Sequence, residues 1–187
     1  MRKTGERSAN ALKEELLIRA EATSAATPET VYGLLADLSS HLVWAGERQA
    51  EKSRLVTIDA PAGRAVVGTE WTSTGVDPMG TFADRSVVTE ATVGKAFEYV
   101  TEARLTTKKG VPSEWTNVVR YEVEPTAGGS RIVSTSRIAR ISAMPGMLAL
   151  FNVRGLRELG VKASARVSRR TVRSLARCAE EREAEGR

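Results

Sequence analysis

The sequence has a single histidine and a single cysteine, and this scarcity excludes several kinds of chemistry. Cys178 cannot form a disulfide within the chain, and we expect it to be a small structural thiol in a helix. His41 alone cannot supply a histidine-based zinc site, a Rieske cluster or a two-histidine iron site. A Ser-His-Asp triad could use only His41, and no G-x-S-x-G motif accompanies it. We therefore expect no bound metal and no cofactor.

Long apolar runs are also missing from the chain. No segment approaches the roughly 18 consecutive apolar residues of a membrane-spanning helix. The N-terminus, MRKTGERSAN, has a basic start without an apolar stretch behind it, so it does not resemble a signal peptide and a cytoplasmic location is expected. The 187 residues are 41% hydrophobic and contain no internal repeat or long linker. We expect one domain over 11–187, preceded by a flexible segment, 1–10.

Alternating hydrophobicity and regularly placed turn residues predict an antiparallel sheet. Apolar and polar side chains alternate from Leu16 to Ala22, which is typical of a half-buried strand. Six more strand signals are separated by short stretches that contain glycine or proline. These six signals cover 50–58, 65–74, 81–91, 95–107, 114–124 and 130–142. Successive strands with short connections indicate a meander.

A short helical region interrupts the strand signals. Thr27 is a suitable N-cap residue, Pro28 suits the first helical position, and Glu29 is favourable beside the positive end of the helix dipole. Apolar residues at helical spacing extend this predicted helix over 28–38. The next stretch, 39–47, is predicted to be a second short helix or a tight irregular turn.

A long C-terminal helix is predicted to run to about Glu183, and it accounts for the net charge of +5. Residues 154–187 contain ten basic and five acidic side chains, whereas the rest of the chain is balanced. One side of the helical wheel holds apolar or small residues, namely Val161, Ala165, Ser168, Val172, Leu175 and Ala179. A separate arc of about 100 degrees holds basic residues. This basic stripe comprises Lys162, Arg166, Arg169, Arg170, Arg173 and Arg177.

The order of these elements, together with several segments, resembles the START-like, helix-grip superfamily. The segments are TPETVYGLLADLSSHLVW, VGTEW, VGKAFEYV, WTNVVRYEVEPTAGGSRI and the final helix. They are similar in particular to the bacterial polyketide cyclase/dehydrase and lipid-transport branch, over about 12–183. The resemblance implies an α+β helix-grip fold: a seven-stranded curved antiparallel sheet around a long C-terminal helix, with two short helices after the first strand. It also implies a cavity between sheet and helix, with Trp44 near its mouth.

The alternation of the strands and the predicted helix face give a set of candidate cavity-lining residues. The functional interpretation is an apolar pocket with a few polar groups, as ligand sites generally show. The alternative is that these side chains fill a packed core. The candidates are Trp44, Trp71, Phe82, Phe97, Tyr99, Trp115, Asn117, Tyr121, Leu148, Phe151 and Asn152.

Catalytic residues cannot be assigned from the sequence. The candidate acid–base groups are Asp37, His41, Glu70, Asp84, Glu98, Arg120 and Arg137. Glu70, Glu98 and Arg120 alternate with apolar or aromatic residues, so they are predicted on the outer face of the sheet. The inner faces are expected to hold few ionisable side chains. His41 is expected to be an exposed loop histidine, with a place at the pocket entrance as the alternative.

Three functions are compatible with these features. The leading hypothesis is that the protein binds a small hydrophobic or amphipathic ligand, lipid-like or polyketide-like, between sheet and C-terminal helix. The enzymatic alternative is a polyketide aromatase, cyclase or dehydratase that uses the same cavity. A third is lipid handling at anionic membranes through the basic stripe, for which a solvated helix face is the simpler interpretation. Nucleic-acid binding is disfavoured because no aromatics interleave with the stripe. Monomer and homodimer both remain open.

Overall fold

The computed structural model describes residues 14–110, 112–139, 141 and 152–186. The first ten residues, predicted as a flexible segment, lie outside this range. The strands are β1 (Leu16–Ser24), β2 (Arg54–Asp59), β3 (Glu70–Asp77), β4 (Gly80–Thr92), β5 (Ala96–Thr107), β6 (Pro112–Thr126) and β7 (Gly129–Ala139). The helical elements are α1 (Pro28–Ala36), a 3-10 turn (Leu38–Ser40), a π-helical segment (Leu42–Glu47) and α2 (Arg154–Glu185).

The seven strands form one antiparallel sheet in the order β1-β7-β6-β5-β4-β3-β2. Strands β2 to β7 follow one another as a meander, and β1 joins this meander by pairing with β7. The ladders shift register between Leu55 and Thr57 in β2 and between Val88 and Glu90 in β4. Such bulges bend a sheet and increase its twist. The predicted α+β helix-grip fold, with a curved seven-stranded sheet and a long C-terminal helix, is therefore confirmed.

Strand β1 and helix α1 form where the sequence predicts them. The side chains of Leu16, Ile18 and Ala20 are buried, whereas that of Leu17 is 58% exposed, so β1 has one face in the core and one in solvent. Thr27 caps α1, because its hydroxyl accepts a hydrogen bond from the amide of Thr30 at 3.3 Å. This cap satisfies one amide that the helix itself leaves unpaired.

Helix α2 runs along β1 in the same direction. At one end, the guanidinium of Arg157 contacts the carboxylate of Glu14. At the other end, the carboxylate of Glu183 accepts a hydrogen bond from the amide of Thr27 at 2.7 Å. The 26 residues of helix between these contacts rise about 39 Å, close to the roughly 43 Å that 13 extended residues span. The long helix therefore matches the length of the segment 14–27, which contains β1 and the turn that follows it.

The two halves of α2 have different surroundings. In the C-terminal half, Val172, Leu175 and Ala179 are at most 1% exposed, and this part of the helix packs into the core together with α1. In the N-terminal half, Leu159 is 62% exposed and Val167 is 47% exposed. The tightly packed core thus lies under one half of the helix, and a space remains beneath the other.

Candidate functional site

A cavity of about 450 Å³ lies between the sheet and the N-terminal half of α2. Every strand contributes side chains to its wall, and the π-helical segment and α2 complete it. Its surface is mostly apolar. Successive side chains of a strand point to opposite faces of the sheet. The wall is therefore built mainly from every second residue of each strand, namely those on the inner face.

Seven of the predicted candidates line this cavity. They are Trp44, Trp71, Phe82, Tyr99, Trp115, Asn117 and Tyr121. Phe97 belongs instead to the packed core, where it is fully buried and meets the ring of Tyr32 edge-on at 6.3 Å. Asn152 precedes α2 and does not contribute to the wall among the described residues. Leu148 and Phe151 lie outside the described residues.

The aromatic side chains of the wall hold one another in place. The rings of Trp71 and Tyr99 are 5.1 Å apart and nearly perpendicular, as are those of Trp44 and Tyr121 at 6.1 Å. Edge-to-face pairs of this kind are favourable beyond the area they bury. They give the cavity rigid apolar walls with polar atoms at defined positions.

Several polar side chains of the wall are hydrogen-bonded within the protein. The hydroxyls of Ser86 and Thr101 are 2.8 Å apart. The phenols of Tyr99 and Tyr121 are hydrogen-bonded to each other, and the phenol of Tyr121 is also hydrogen-bonded to the side chain of Ser134. Burial raises the pKa of Tyr121 to about 12 and raises the pKa of Tyr99 well above its ordinary value of 10, so both phenols remain protonated at neutral pH.

The amide of Asn117 is also engaged, because its oxygen accepts a hydrogen bond from the Ser136 hydroxyl at 2.7 Å.

Two groups of the wall depart from this pattern. The Nε of Arg54 is buried without a hydrogen-bond partner in the described ranges, and Asp84 is the second. Its Oδ1 is buried without a hydrogen-bond partner in the described part of the chain. Burial raises the pKa of this carboxyl from 3.8 to about 7, because the charged form is poorly solvated there. The expectation of few ionisable groups on the inner face therefore needs correction, since β4 places a carboxyl in the middle of the wall. Asp84 follows Phe82 by two residues, and that spacing could have identified it from the sequence.

His41 lines the cavity as a buried side chain, so the expectation of an exposed loop histidine was wrong. Its Nε2 lies 2.9 Å from the carbonyl oxygen of Leu35, and since a carbonyl only accepts, Nε2 must carry the proton. Its ring packs against that of Trp44 in a tilted arrangement, with the ring centroids 4.5 Å apart. Burial lowers the pKa of His41 to about 4, so the ring is neutral at physiological pH. His41 lies between the 3-10 turn and the π-helical segment, in the stretch 39–47 for which the sequence predicts a second short helix or a tight irregular turn.

Helix α2 lines the cavity through Ser164, Val167 and Thr171. Sequence reasoning placed its inward face at positions such as Ala165 and Ser168. The apolar pattern marks the face that packs into the core further along the helix. The cavity side is rotated from that face by about 90 degrees, given 100 degrees per residue. The side of α2 that faces the cavity has no apolar pattern in the sequence, because this side of the helix does not pack against the sheet.

Charged residues on the outer face of the sheet pair with one another. Arg120 forms ion pairs with Glu90 and with Glu98, the latter at 3.5 Å. Arg85 pairs with Glu70 at 2.7 Å. These partners alternate with cavity-lining residues along their strands, so the network lies on the face turned away from the cavity.

A separate groove of about 850 Å³ lies at the C-terminal end of α2. Its wall includes Glu29, Arg64 and Arg182, all of them exposed. Although this groove is larger, its charged side chains are already solvated. The cavity under the N-terminal half of α2 is therefore the stronger candidate for a ligand site.

Comparison with known proteins gives the fold and no family. No protein family model matches the chain, and no curated protein matches it in sequence. Among solved structures, a Thermus thermophilus protein has a TM-score of 0.59 and 16% identity, covering 88% of this chain and 97% of that one. A Rhizobium leguminosarum protein has a TM-score of 0.58 and 12% identity, covering 89% and 98%. Ara h 8.0201 has a TM-score of 0.54 and 11% identity, with the same coverage. All three share the overall architecture.

None of the helices in the described ranges combines the length and the apolar composition needed to cross a bilayer.

Proposed function

We propose that this protein binds a small hydrophobic or amphipathic molecule in the cavity between the sheet and α2. The observation that carries the proposal is the cavity itself, about 450 Å³ in volume and mostly apolar, with aromatic walls. Burying about 200 Å² of apolar ligand surface there would contribute roughly 5 kcal/mol to binding. The phenol pair and Asp84 supply polar atoms that orient the molecule.

A lineage within the START-like superfamily fits this function. Its support is the order of the elements and the sequence segments that resemble the bacterial polyketide cyclase/dehydrase and lipid-transport branch. We propose a lipid-like or polyketide-like molecule as the ligand on that ground.

Titration with the neutral fluorophore N-phenyl-1-naphthylamine tests the proposal. Its emission rises when it enters an apolar site, so a saturable increase with one site per chain is expected. The absence of saturable binding would contradict the proposal.

Two substitutions on α2 locate that binding. Ser164 lines the cavity, whereas its neighbour Ala163 is exposed. Ser164→Phe places a ring in the cavity and should weaken binding about tenfold or more, and Ala163→Phe should leave it unchanged. Equal effects of the two variants would mean that the fluorophore binds elsewhere.

A second candidate function, docking on anionic membranes, is favoured by the surface of α2. Lys162, Arg166, Arg169, Arg170 and Arg173 are exposed, and none of them forms an ion pair within the described ranges. On a helical wheel the exposed Leu156 lies beside the arc of these basic residues, and the exposed Leu159 lies within the edge of that arc. A basic face beside an apolar one is typical of helices that lie in a bilayer interface.

Liposome sedimentation tests this second candidate. Each basic residue near an anionic surface contributes on the order of 1 kcal/mol, and salt screens the attraction. Replacing both Arg169 and Arg173 by glutamine should reduce binding to phosphatidylserine vesicles about tenfold or more. Replacing the ion-paired Arg85 and Arg120 by glutamine removes the same charge from the sheet and is the control. Binding that is indifferent to anionic lipid and to salt would exclude membrane docking.

A further inference from the structure

Asp84 lies on the cavity wall, and its neighbours across the sheet are small. The register places Ser73 of β3 on one side of it and Ala103 of β5 on the other. All three residues line the cavity. A large side chain at either neighbouring position would cover the carboxyl, so the small neighbours leave this group on the cavity wall, although its Oδ1 is itself buried.

No donor of the protein satisfies the buried oxygen of Asp84 within the described part of the chain. The Ser86 and Thr101 hydroxyls are paired with each other, and the Tyr99 phenol is bonded to Tyr121. Tyr99 lies near enough for its pKa to respond to the charge of Asp84, yet its hydrogen bond goes elsewhere. A buried acceptor without a partner costs about 1–3 kcal/mol, and more when it is charged. The carboxyl group therefore lies on the wall without a donor from the described residues for its buried oxygen, and a bound molecule can offer a donor to this group from the cavity side.

The charged and titratable groups around the cavity do not neutralise Asp84 either. Those that line the wall are Arg54, Asp77, His41, Tyr99 and Tyr121, and the described part of α2 contributes none. Arg54 is the cation among them, and it forms no ion pair with Asp84 in the part of the chain that the structure describes. Burial alone accounts for the perturbation of the carboxyl.

Aromatic rings flank the same position. Trp71 lies diagonally across β3 from Asp84, and Trp115 of β6 is opposite Ala103 in the next ladder. Diagonal neighbours in an antiparallel sheet are about 7–8 Å apart, so an atom bound at the carboxyl also reaches the ring of Trp71. The faces of tryptophan rings attract cations.

We propose that the ligand of this cavity is an apolar molecule that carries a basic amine, whose ammonium group binds the Asp84 carboxylate. The inference rests on the proposed function, since it names the ligand class of the same cavity. An alcohol would restore one hydrogen bond at Asp84 but would leave the carboxylate charge buried without a counter-ion. An ammonium group supplies the donor and the opposite charge together.

A matched pair of competitors tests the proposal. 1-Naphthylmethylamine and 1-naphthylmethanol have the same apolar body, and each displaces N-phenyl-1-naphthylamine from the whole protein. At pH 8 the amine should bind about tenfold or more tightly than the alcohol. The ratio should fall toward one as the pH is lowered to 5, because the carboxyl becomes protonated. An amine that binds no more tightly than the alcohol at pH 8 would overturn the proposal.

Asp84→Asn adds an independent test. The variant should bring the affinity ratio of amine to alcohol to about one at pH 8. Asp59→Asn, which removes an exposed carboxylate from β2, should keep the ratio of the unaltered protein. A ratio that persists in Asp84→Asn would place the amine elsewhere and overturn the inference alone. Failure of the fluorophore and both competitors to bind would overturn the proposed function with it.

Discussion

Replacing Asp84 by asparagine should make the protein more stable at alkaline pH than at acid pH, relative to the unaltered chain. The pKa of this carboxyl is about 7 in the folded protein against an ordinary value of 3.8. A raised pKa means that its contribution to stability is fully present below about pH 3.8 and is lost as the pH rises through 7. A difference of about three pH units corresponds to about 4 kcal/mol. Asparagine cannot titrate and escapes this loss.

Urea unfolding of the ligand-free protein, followed by tryptophan fluorescence from pH 4 to pH 8, measures the effect. The free energy of unfolding of Asp84→Asn minus that of the unaltered protein should rise by about 4 kcal/mol across this range. Taking the difference cancels the titration of every other group. Asp59→Asn controls for the removal of a negative charge from an exposed strand.

The pH dependence of this stability difference shows whether the Asp84 carboxylate has a partner in the folded protein. A difference that stays flat within about 1 kcal/mol would mean that water or a rearranged donor solvates the carboxylate. A difference that falls with pH would mean that a cation of the protein stabilises it. Either result would refute the reasoning that Asp84 lacks a partner.

Five other substitutions, which test three features of the fold, have defined outcomes in equilibrium unfolding. Because burial lowers the pKa of His41 to about 4, the folded protein loses stability as the pH falls from 6.5 to about 4. The free energy of unfolding of His41→Phe should therefore rise by about 3 kcal/mol relative to that of the unaltered protein over that interval. A constant difference would contradict the burial of His41. Leu175→Ala should cost about 2–5 kcal/mol and Leu159→Ala under about 0.5, because only Leu175 is buried; similar costs would contradict the packing of α2. Gly129→Ala should cost more than about 2 kcal/mol, since its Cβ would lie 2.2 Å from a carbonyl oxygen, while Gly128→Ala should be nearly neutral; equal effects would refute the close approach.

The fold could be predicted because local patterns and long-range packing agree. The alternation around Ile18 places one face of β1 in the core, and Thr27 with Pro28 begins α1 as expected. Turn residues separate the strands of the meander, and short connections leave antiparallel pairing as the simple solution. A fold can be predicted from its sequence when local patterns and long-range packing favour the same structure.

The site was less predictable, because cavities are defined by the absence of packing. The burial of His41 depends on turns over 38–47 that carry no periodic signal. The helix pattern identified Val172 and Leu175 as core but could not indicate that Ser164 and Thr171 face an open space. Asp84 lies on the inner face of β4 together with Phe82 and Ser86. A carboxyl on that face is unusual, and its position becomes understandable only when the cavity wall is seen as a whole.

The pairing of α2 with β1 also determines when this chain can acquire its core. The hydrogen bond from the Ser24 hydroxyl to the carbonyl of Ala176 joins residues 152 positions apart. Until the helix arrives, the concave aromatic surface faces water, where it is prone to stick to other chains. A contact order this long slows folding. Docking of the helix therefore covers this surface and closes the cavity in one step, so the cavity does not exist before the chain is folded.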